Sequence, residues 1–387
     1  MAALSIDQML AVTYTTKVIS RVAAASNSVM RRFGMQGGPP GSSIRGENVR
    51  TVGHRKFNYD IFNDTRKVGR STAPGAAAAV SRRNPMGVVV GTFPRMHDSL
   101  ELNAEEIHNR RQLGGSSSVY DEQGATYVAK QQMYLGQKAG NYRSLLVGGM
   151  LRGAIYGHQS GDGVYYDYTS TLANWTIDYQ IPSGNKTQLD MLGAGNIIDG
   201  TWLNPGVNIP NQILKVNAAF QQLVGSRLDL MIMNAYTWNL ILNNDFVIQN
   251  AGSSSPAYTI YNRSDEVMEN GKKNTTFEVA LAACPWVKII VTDEGLDIGA
   301  EGSESYTKFI PDGYVWFGPD PDPNIMEMLE GDEPIAEGPG QAWQTKAGLS
   351  SWSYNSWNPT TRQIFVLDNA LPALYVPAAT AWANVVF

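Results

Sequence analysis

The chain contains one cysteine, Cys284, and four histidines, His54, His97, His108 and His158, among 387 residues. A single cysteine excludes an internal disulfide framework and a cysteine-rich zinc site. Four scattered histidines leave little for a histidine metal cluster. Charged residues are sparse at 17%, below the ~25% of an average soluble domain. Long apolar runs are also missing. The best, Leu145 to Tyr156, is short and interrupted by Arg152, whereas a membrane span needs ~20 apolar residues. No secretory signal pattern stands at the N-terminus. With 43% hydrophobic residues and a net charge of −5, the chain is not of the disordered class. The expectation is a metal-free, cofactor-free cytoplasmic protein of one large domain or two ordinary ones.

Catalytic signatures are missing as well. There is no G-x-x-x-x-G-K-[ST] phosphate loop, no strand-linked G-x-G-x-x-G, and no G-x-S-x-G, H-E-x-x-H or C-x-x-C. The Gly193 to Gly200 segment, GAGNIIDG, reads as a turn. Asp293, Glu294, Asp297, Glu301 and Glu304 do not match the fixed ligand offsets of a calcium loop and read as a solvated loop. Pro319 to Asn324 reads as a rigid, turn-rich segment. Cys284, beside Pro285 and Trp286, reads as a buried inert thiol. Glu105 and Glu106 next to His108 read as a solvated helix face. A chain this long without a converging catalytic set is a structural candidate and not an enzyme.

What the chain does have is an uneven charge. Residues 1–152 hold 20 Lys plus Arg against 10 Asp plus Glu, and residues 153–387 hold 10 against 25. A basic half and an acidic half fit either a nucleic-acid partner or the acidic half of another copy of the same chain.

Elements can be placed along it. Residues 1–30 read as a weak helix, and Met30 to Arg50 as a breaker-rich linker. Residues 49–92 read as two long strands joined by a tip carrying Arg66, Lys67, Arg70, Arg82 and Arg83. Such a hairpin is marginal alone and needs a neighbour. Residues 117–156 contain the strongest helix, with a stripe that includes Tyr127, Tyr134, Leu135, Tyr142, Leu145 and Leu146. Gly136 and Gly140 permit close helix packing, and Gly148 and Gly149 are expected to end the helix. Asp162-Gly163 sits between alternating runs as a hairpin turn. Residues 200–340 alternate helix and strand as a compact α/β or α+β unit. The patterns Leu228–Met233, the WVKIIV run ending at Val291, Gly313–Phe317 and Gln363–Leu367 read as strands. Ala373–Val386 reads as an extended apolar tail.

The order of these segments resembles the phage major capsid protein E family, the lambda-type branch of the Hong Kong 97-like capsid fold. The residues that carry the resemblance are FPRMHDSLELNAEEI at Phe93–Ile107, LLVGGMLRGAIYGHQSGDGVYYDY at Leu145–Tyr168, LMIMNAYTWNLILNN at Leu230–Asn244, VKIIVTDEGLDI at Val287–Ile298 and YTKFIPDGYVWFGPD at Tyr306–Asp320. The resemblance implies an α+β fold with an N-terminal arm (1–48), an extended loop (49–92), a peripheral domain with spine helix (93–200), an axial domain (201–340) and returning C-terminal strands (341–387).

It further implies the major capsid protein of a tailed double-stranded DNA bacteriophage. Such a protein self-assembles as a homo-oligomer into hexamers and pentamers of an icosahedral shell, made in the host cytoplasm and found in the virion. Its expected partners are further copies of itself, a separate scaffolding protein, a portal, a decoration protein and weakly held packaged DNA, with no membrane. An encapsulin-like compartment shell and a soluble oligomeric enzyme are the alternatives. Arg66, Lys67, Arg70, Arg82 and Arg83 are expected to lie over an acidic region of the adjacent subunit, either Asp293–Glu304 or Asp320–Glu337. Arg31 and Arg32 are expected to contact a further neighbour or DNA. No covalent Lys–Asn cross-link is expected, and no long N-terminal segment is expected to be removed.

Overall fold

The computed structural model describes residues 12–24, 28–38, 42–62, 87–103, 122–160, 163–250, 276–281, 283–300, 302–335, 343–357 and 360–387. The chain opens with α1 (Val12–Ala24) and α2 (Ser28–Arg32). The glycine-rich segment that follows reads as a linker in sequence but is packed. Met30, Phe33 and Met35 are fully buried, and Phe33 meets the Trp316 ring edge-on at 5.7 Å. Apolar residues spaced through the breakers give this arm its hold on the body.

Four strands follow: β1 (Val49–Val52), β2 (Lys56–Ile61), β3 (Gly87–Thr92) and β4 (Arg95–Asn103). Only β2 and β3 pair as a hairpin, with Asn58 opposite Val90 and Asp60 opposite Val88. The expectation of one long hairpin from residue 49 is corrected here. β1 leaves it to run parallel to β15, Arg50 opposite Leu329.

The long helix α3 (Glu122–Arg152) is the spine. It does not stop at Gly148 and Gly149. Both lie inside it, where the Tyr168 hydroxyl and the Ile155 side chain occupy the space a Cβ would need. The helix ends at Gly153, whose φ of +89° places it in the left-handed region, as helix-terminating glycines commonly are. Gly136 gives the predicted close approach, to Val22 and the Ile19 carbonyl of α1.

Next come β5 (Ala154–Ser160), β6 (Gly163–Asp167) and β7 (Trp175–Asp178), a three-stranded antiparallel sheet with β5 central. The hairpin expected around Asp162-Gly163 is present in β5 and β6, and Asp162 itself lies outside the described residues. β8 (Lys186–Thr187), α4 (Ile209–Leu223), β9 (Leu230–Met233), α5 (Ala235–Leu242) and α6 (Asp245–Asn250) follow. Gly193–Gly200 forms turns, as expected. Asn208 and Asn234 cap α4 and α5, accepting hydrogen bonds from Asn211 N and Thr237 N at 3.0 and 2.8 Å, the usual job of asparagine there.

The remainder is strand: β10 (Phe277–Val279), β11 (Lys288–Val291), β12 (Gly295–Ile298), β13 (Ser305–Lys308), β14 (Tyr314–Gly318), β15 (Met326–Ile335), β16 (Gln344–Ala347), β17 (Ser350–Trp357), β18 (Thr360–Leu374) and β19 (Ala381–Asn384). The acidic run Asp293–Glu304 is not a plain loop, because β12 and β13 pair across it as a hairpin.

Two six-stranded sheets organise the molecule. One has the order β1-β15-β18-β17, with β16 beside β15 and β4 beside β18. The other is β10-β11-β9-β14-β19-β8. β15, inside the span expected for the axial domain, therefore pairs in the first sheet. The apolar tail is also paired, since β18 runs to Leu374 in the first sheet and β19 inserts between β14 and β8 in the second. β9 is buried along its whole length. Leu230 and Ile232 face one core, while Met231 and Met233 face the other, under α4 and α5. Burial on both faces explains why LMIM is continuously apolar.

Candidate assembly interface

The β2–β3 hairpin, like β12–β13, is a sheet of two strands only. Phe57, Tyr59 and Ile61 alternate inward with Lys56, Asn58 and Asp60 outward. The inward set rests on the body. The Phe57 ring meets Phe93 at 5.5 Å and the Tyr59 ring meets Tyr375 at 5.6 Å. Each such buried side chain contributes roughly 1.5–3 kcal/mol, which holds a stem that would be marginal alone. The outward face is unusual. Val88 and Val90 are 51% and 64% exposed, and Phe62 at the end of the stem is 46% exposed. Among the described residues neither β2 nor β3 pairs with a further strand. Unpaired strand edges flanking β-branched side chains are competent for further pairing.

Beneath this stem, β15 carries three buried glutamates, Glu327, Glu330 and Glu333. A period of two puts Glu327 and Glu333 on one face of the strand and Glu330 on the other. On the hairpin side, Arg50 Nε lies 2.8 Å from Glu327 and Arg55 Nε lies 2.9 Å from Glu333. The Tyr375 hydroxyl also donates to Glu327. On the helix side, Arg143 of α3 is fully buried. Its Nε and Nη2 grip Asp368 at 2.6 and 2.7 Å, and Nη2 reaches Glu330 at 2.7 Å. Arg45 of the arm adds a contact to Glu330 at 2.9 Å. Burial pushes the Arg143 guanidinium toward losing its proton, but Asp368 and Glu330 more than offset this and hold it charged. The four groups balance, two cations against two carboxylates. They join the arm, the spine helix and two central strands of the first sheet at one point.

This changes one expectation. Glu327, Glu330 and Glu333, within the Asp320–Glu337 stretch considered as a counterpart for a neighbour's basic loop, are answered inside their own chain. A pocket of about 530 Å³ remains at the stem, lined by Arg50, Asn58, Asp60, Phe62, Asn324 and Tyr375 among others.

The five tip residues Arg66, Lys67, Arg70, Arg82 and Arg83 lie outside the described residues, as do Glu105, Glu106 and His108. The described stem carries that segment. Arg32 is ion-paired with Glu278, and Arg31 lies beside it on α2. On the spine helix, Leu135, Leu145 and Leu146 are buried, and Tyr142 packs against the main core. Tyr127 is half-buried. Tyr134 is 50% exposed, on the side of α3 away from the sheet. Cys284 is buried, and burial pushes its thiol up to about 11, as an inert residue would be. No group of three metal-ligating side chains occurs among the described residues, and no described helix is long and apolar enough to cross a membrane. The sequence reading missed the Arg45–Glu330–Arg143–Asp368 cluster. The only signal for it was charge spaced through otherwise apolar runs.

An arm, a projecting hairpin, a spine helix laid on one sheet and a second sheet flanked by helices form the α+β, Hong Kong 97-like capsid layout. Within that class, residues 45–197 match the phage major capsid protein E family. The family recognised from sequence motifs is thus the one matched, and it is structural rather than enzymatic. Solved structures similar over most of their length include a capsid protein of a prophage of E. coli CFT073, with 13% identity, 99% of each chain covered and a TM-score of 0.49. A phage-related protein from Bordetella bronchiseptica RB50 has 12% identity, 95% and 96% coverage and a TM-score of 0.45. The mature capsid of bacteriophage PhiM1 gives 12%, 90% and 88%, and 0.40. No curated protein matches the chain.

Proposed function

We propose that this chain is the major capsid protein of a tailed double-stranded DNA bacteriophage, building a closed icosahedral shell from many copies of itself. The match of residues 45–197 to the phage major capsid protein E family carries this reading. The physical arrangement supports it. A hairpin stem with exposed valines and two unpaired edges projects from a body in which the nearby buried acids are already satisfied. Such a stem buries its outward face only against another copy, and symmetric repetition multiplies that one contact. In this proposal the tip residues Arg66, Lys67, Arg70, Arg82 and Arg83 lie over the acidic body of the adjacent subunit, with the β12–β13 hairpin as the remaining candidate for their counterpart. The division into arm, extended loop, peripheral and axial domains and returning C-terminal strands belongs to the same proposal, as do a separate scaffolding protein, a portal and assembly in the host cytoplasm.

Electron microscopy of the purified protein tests it. Capsomers or closed shells are expected. A monodisperse dimer at every concentration and salt would refute it, and shells that hold an enzyme cargo and no genome would favour a compartment. Charge reversal at Arg82 and Arg83 should lower particle yield while the subunit stays folded.

A further inference from the structure

No strand pairing joins the two six-stranded sheets among the described residues. Side chains fill the seam between them, and part of that filling comes from the N-terminal arm. Val29, Met30, Phe33 and Met35 belong to one core with Met328 and Leu371 of the first sheet and Ile232 and Trp316 of the second. The arm is fastened on both sides. Toward the first sheet, the Asn48 side chain donates to the Phe33 carbonyl at 2.8 Å, and the Asn48 carbonyl accepts from Met328 N of β15 at 2.8 Å. Toward the second, the Phe33 ring meets Trp316 of β14, and Arg32 pairs with Glu278 of β10. The backbone of Phe33 is thus registered to one sheet and its ring to the other.

The spine helix makes a link of a different kind. The Arg152 guanidinium lies 4.2 Å from the Tyr168 ring centre and 5.9 Å from that of Trp382 on β19, and its Nε donates to the Phe309 carbonyl at 3.1 Å. That link is polar and directional. The arm contributes volume instead, since Met30, Phe33 and Met35 are fully buried. Interiors pack at crystal-like density, so the bulk of a ring in the seam sets the spacing there. A truncated core side chain leaves a cavity that its surroundings close only in part. Backbone ladders hold each sheet together, so the movement left to close it is that of one layer against the other.

We propose that residues 29–35 are a wedge that fixes how the two sheets are set against each other, with Phe33 as its principal positioning residue. One consequence rests on the shell reading. Closure of a symmetric assembly depends on the rotation from copy to copy, so one setting of the wedge in every copy gives shells of one diameter.

The test uses unassembled full-length subunits carrying spin labels at Glu101→Cys on β4 and Asn211→Cys on α4, both exposed positions. Cys284 is buried and stays unlabelled. Pulsed electron paramagnetic resonance then reads the distance between the two layers. The parent should give one narrow distribution. Phe33→Ala should shift and broaden it, and Phe33→Leu should do so less, with the circular dichroism spectrum of the parent. The Leu variant keeps the test readable if the Ala variant does not fold. Leu135→Ala, in the core between α1, α3 and the first sheet, should lower stability and leave the distance unchanged. An unchanged distance in the Phe33 variants would overturn the wedge. So would an equal change in Leu135→Ala, which would mark a general loosening. Particles are imaged separately. Failure of the parent to form shells counts against the shell reading alone, because the distance is read on free subunits. Shells of uniform parental diameter from Phe33→Leu subunits whose distance has shifted would overturn the link from wedge to diameter.

Discussion

Arg143 offers the most demanding test of how the subunit is held together. Its guanidinium is fully buried between Asp368 and Glu330, which are 0% and 1% exposed. Arg143→Met removes the cation but keeps the volume, leaving two buried carboxylates answered only by Arg45. Breaking a buried pair in this way costs ~3–5 kcal/mol, most of it from the charge left behind. With an m-value of about 3 kcal/mol/M, the urea midpoint of the unassembled subunit, followed by tryptophan fluorescence, should fall by ~1–1.7 M. Arg143→Met with Asp368→Leu removes both charges and leaves Arg45 and Glu330 as a neutral pair, so it should be more stable than the single variant, as apolar replacements of buried pairs often are. The pH dependence has a definite sign. Burial already raises the Asp368 carboxyl above its usual range, and loss of Arg143 raises it further. The penalty in the single variant is therefore fully present above the folded pKa and vanishes as pH falls below the unfolded one. Arg143→Lys keeps the charge without the two-pronged grip on Asp368 and should fall between parent and Met variant, which keeps the test readable if the latter does not fold. A Met variant within about 1 kcal/mol of the parent, or a double variant no more stable than the single, would refute the claim that unpaired charge sets the cost.

Three further outcomes follow from the same geometry. Val88→Lys with Val90→Glu places charge on the outward face of the hairpin without touching its buried face, so thermal unfolding should be unchanged while particle yield in negative-stain images falls sharply. Normal yield would remove that face from the interface. Gly46→Ala drives a methyl into the Gly34 carbonyl, a backbone group that cannot rotate away. Overpacking of this kind costs ~1–3 kcal/mol, and hydrogen exchange of residues 42–48 should accelerate first, because these are the residues nearest the clash. Cys284, with its thiol pushed up to about 11, should resist alkylation at pH 8 in the folded subunit and react fully in denaturant. Rapid labelling of the native protein would contradict its burial.

Patterns with a short repeat were legible in the sequence, whereas pairings between distant segments were not. The spine helix, the β5–β6 hairpin and the strands LMIM, KIIV and YVWFG announce themselves by periodicity and turn residues. The register β1‖β15, Val49 opposite Met328, brings together residues separated by most of the chain, and nothing local encodes it. The same holds for Arg45 meeting Glu330 and Arg143 meeting Asp368. Gly148 and Gly149 misled for a related reason. Glycine lowers helix propensity by about 1 kcal/mol relative to alanine, so two in a row read as a stop. Here the missing side chains make room for Tyr168 and Ile155, and tertiary packing outweighs the local preference.

The charge split shows how far composition can lead and where it needs geometry. Read as a sum, a basic first part and an acidic second part imply one complementary contact between copies. In the folded chain part of that charge is consumed internally. Arg45, Arg50, Arg55 and Arg143 are taken up by Glu327, Glu330, Glu333 and Asp368 within the subunit. Lys17 and Lys130 stand exposed on the outer sides of α1 and α3. In the proposed assembly the hairpin tip supplies cations for the neighbour. With these four acids answered inside the subunit, the stem presents apolar valines and strand edges. Contact between stems should therefore be insensitive to salt, whereas contacts of the tip should weaken as salt rises. Salt titration of capsomer association, compared between the parent and R82Q/R83Q, separates the two contributions. If association of the parent collapsed with salt as steeply as phosphate binding does, electrostatics and not the valine face would be holding the copies together.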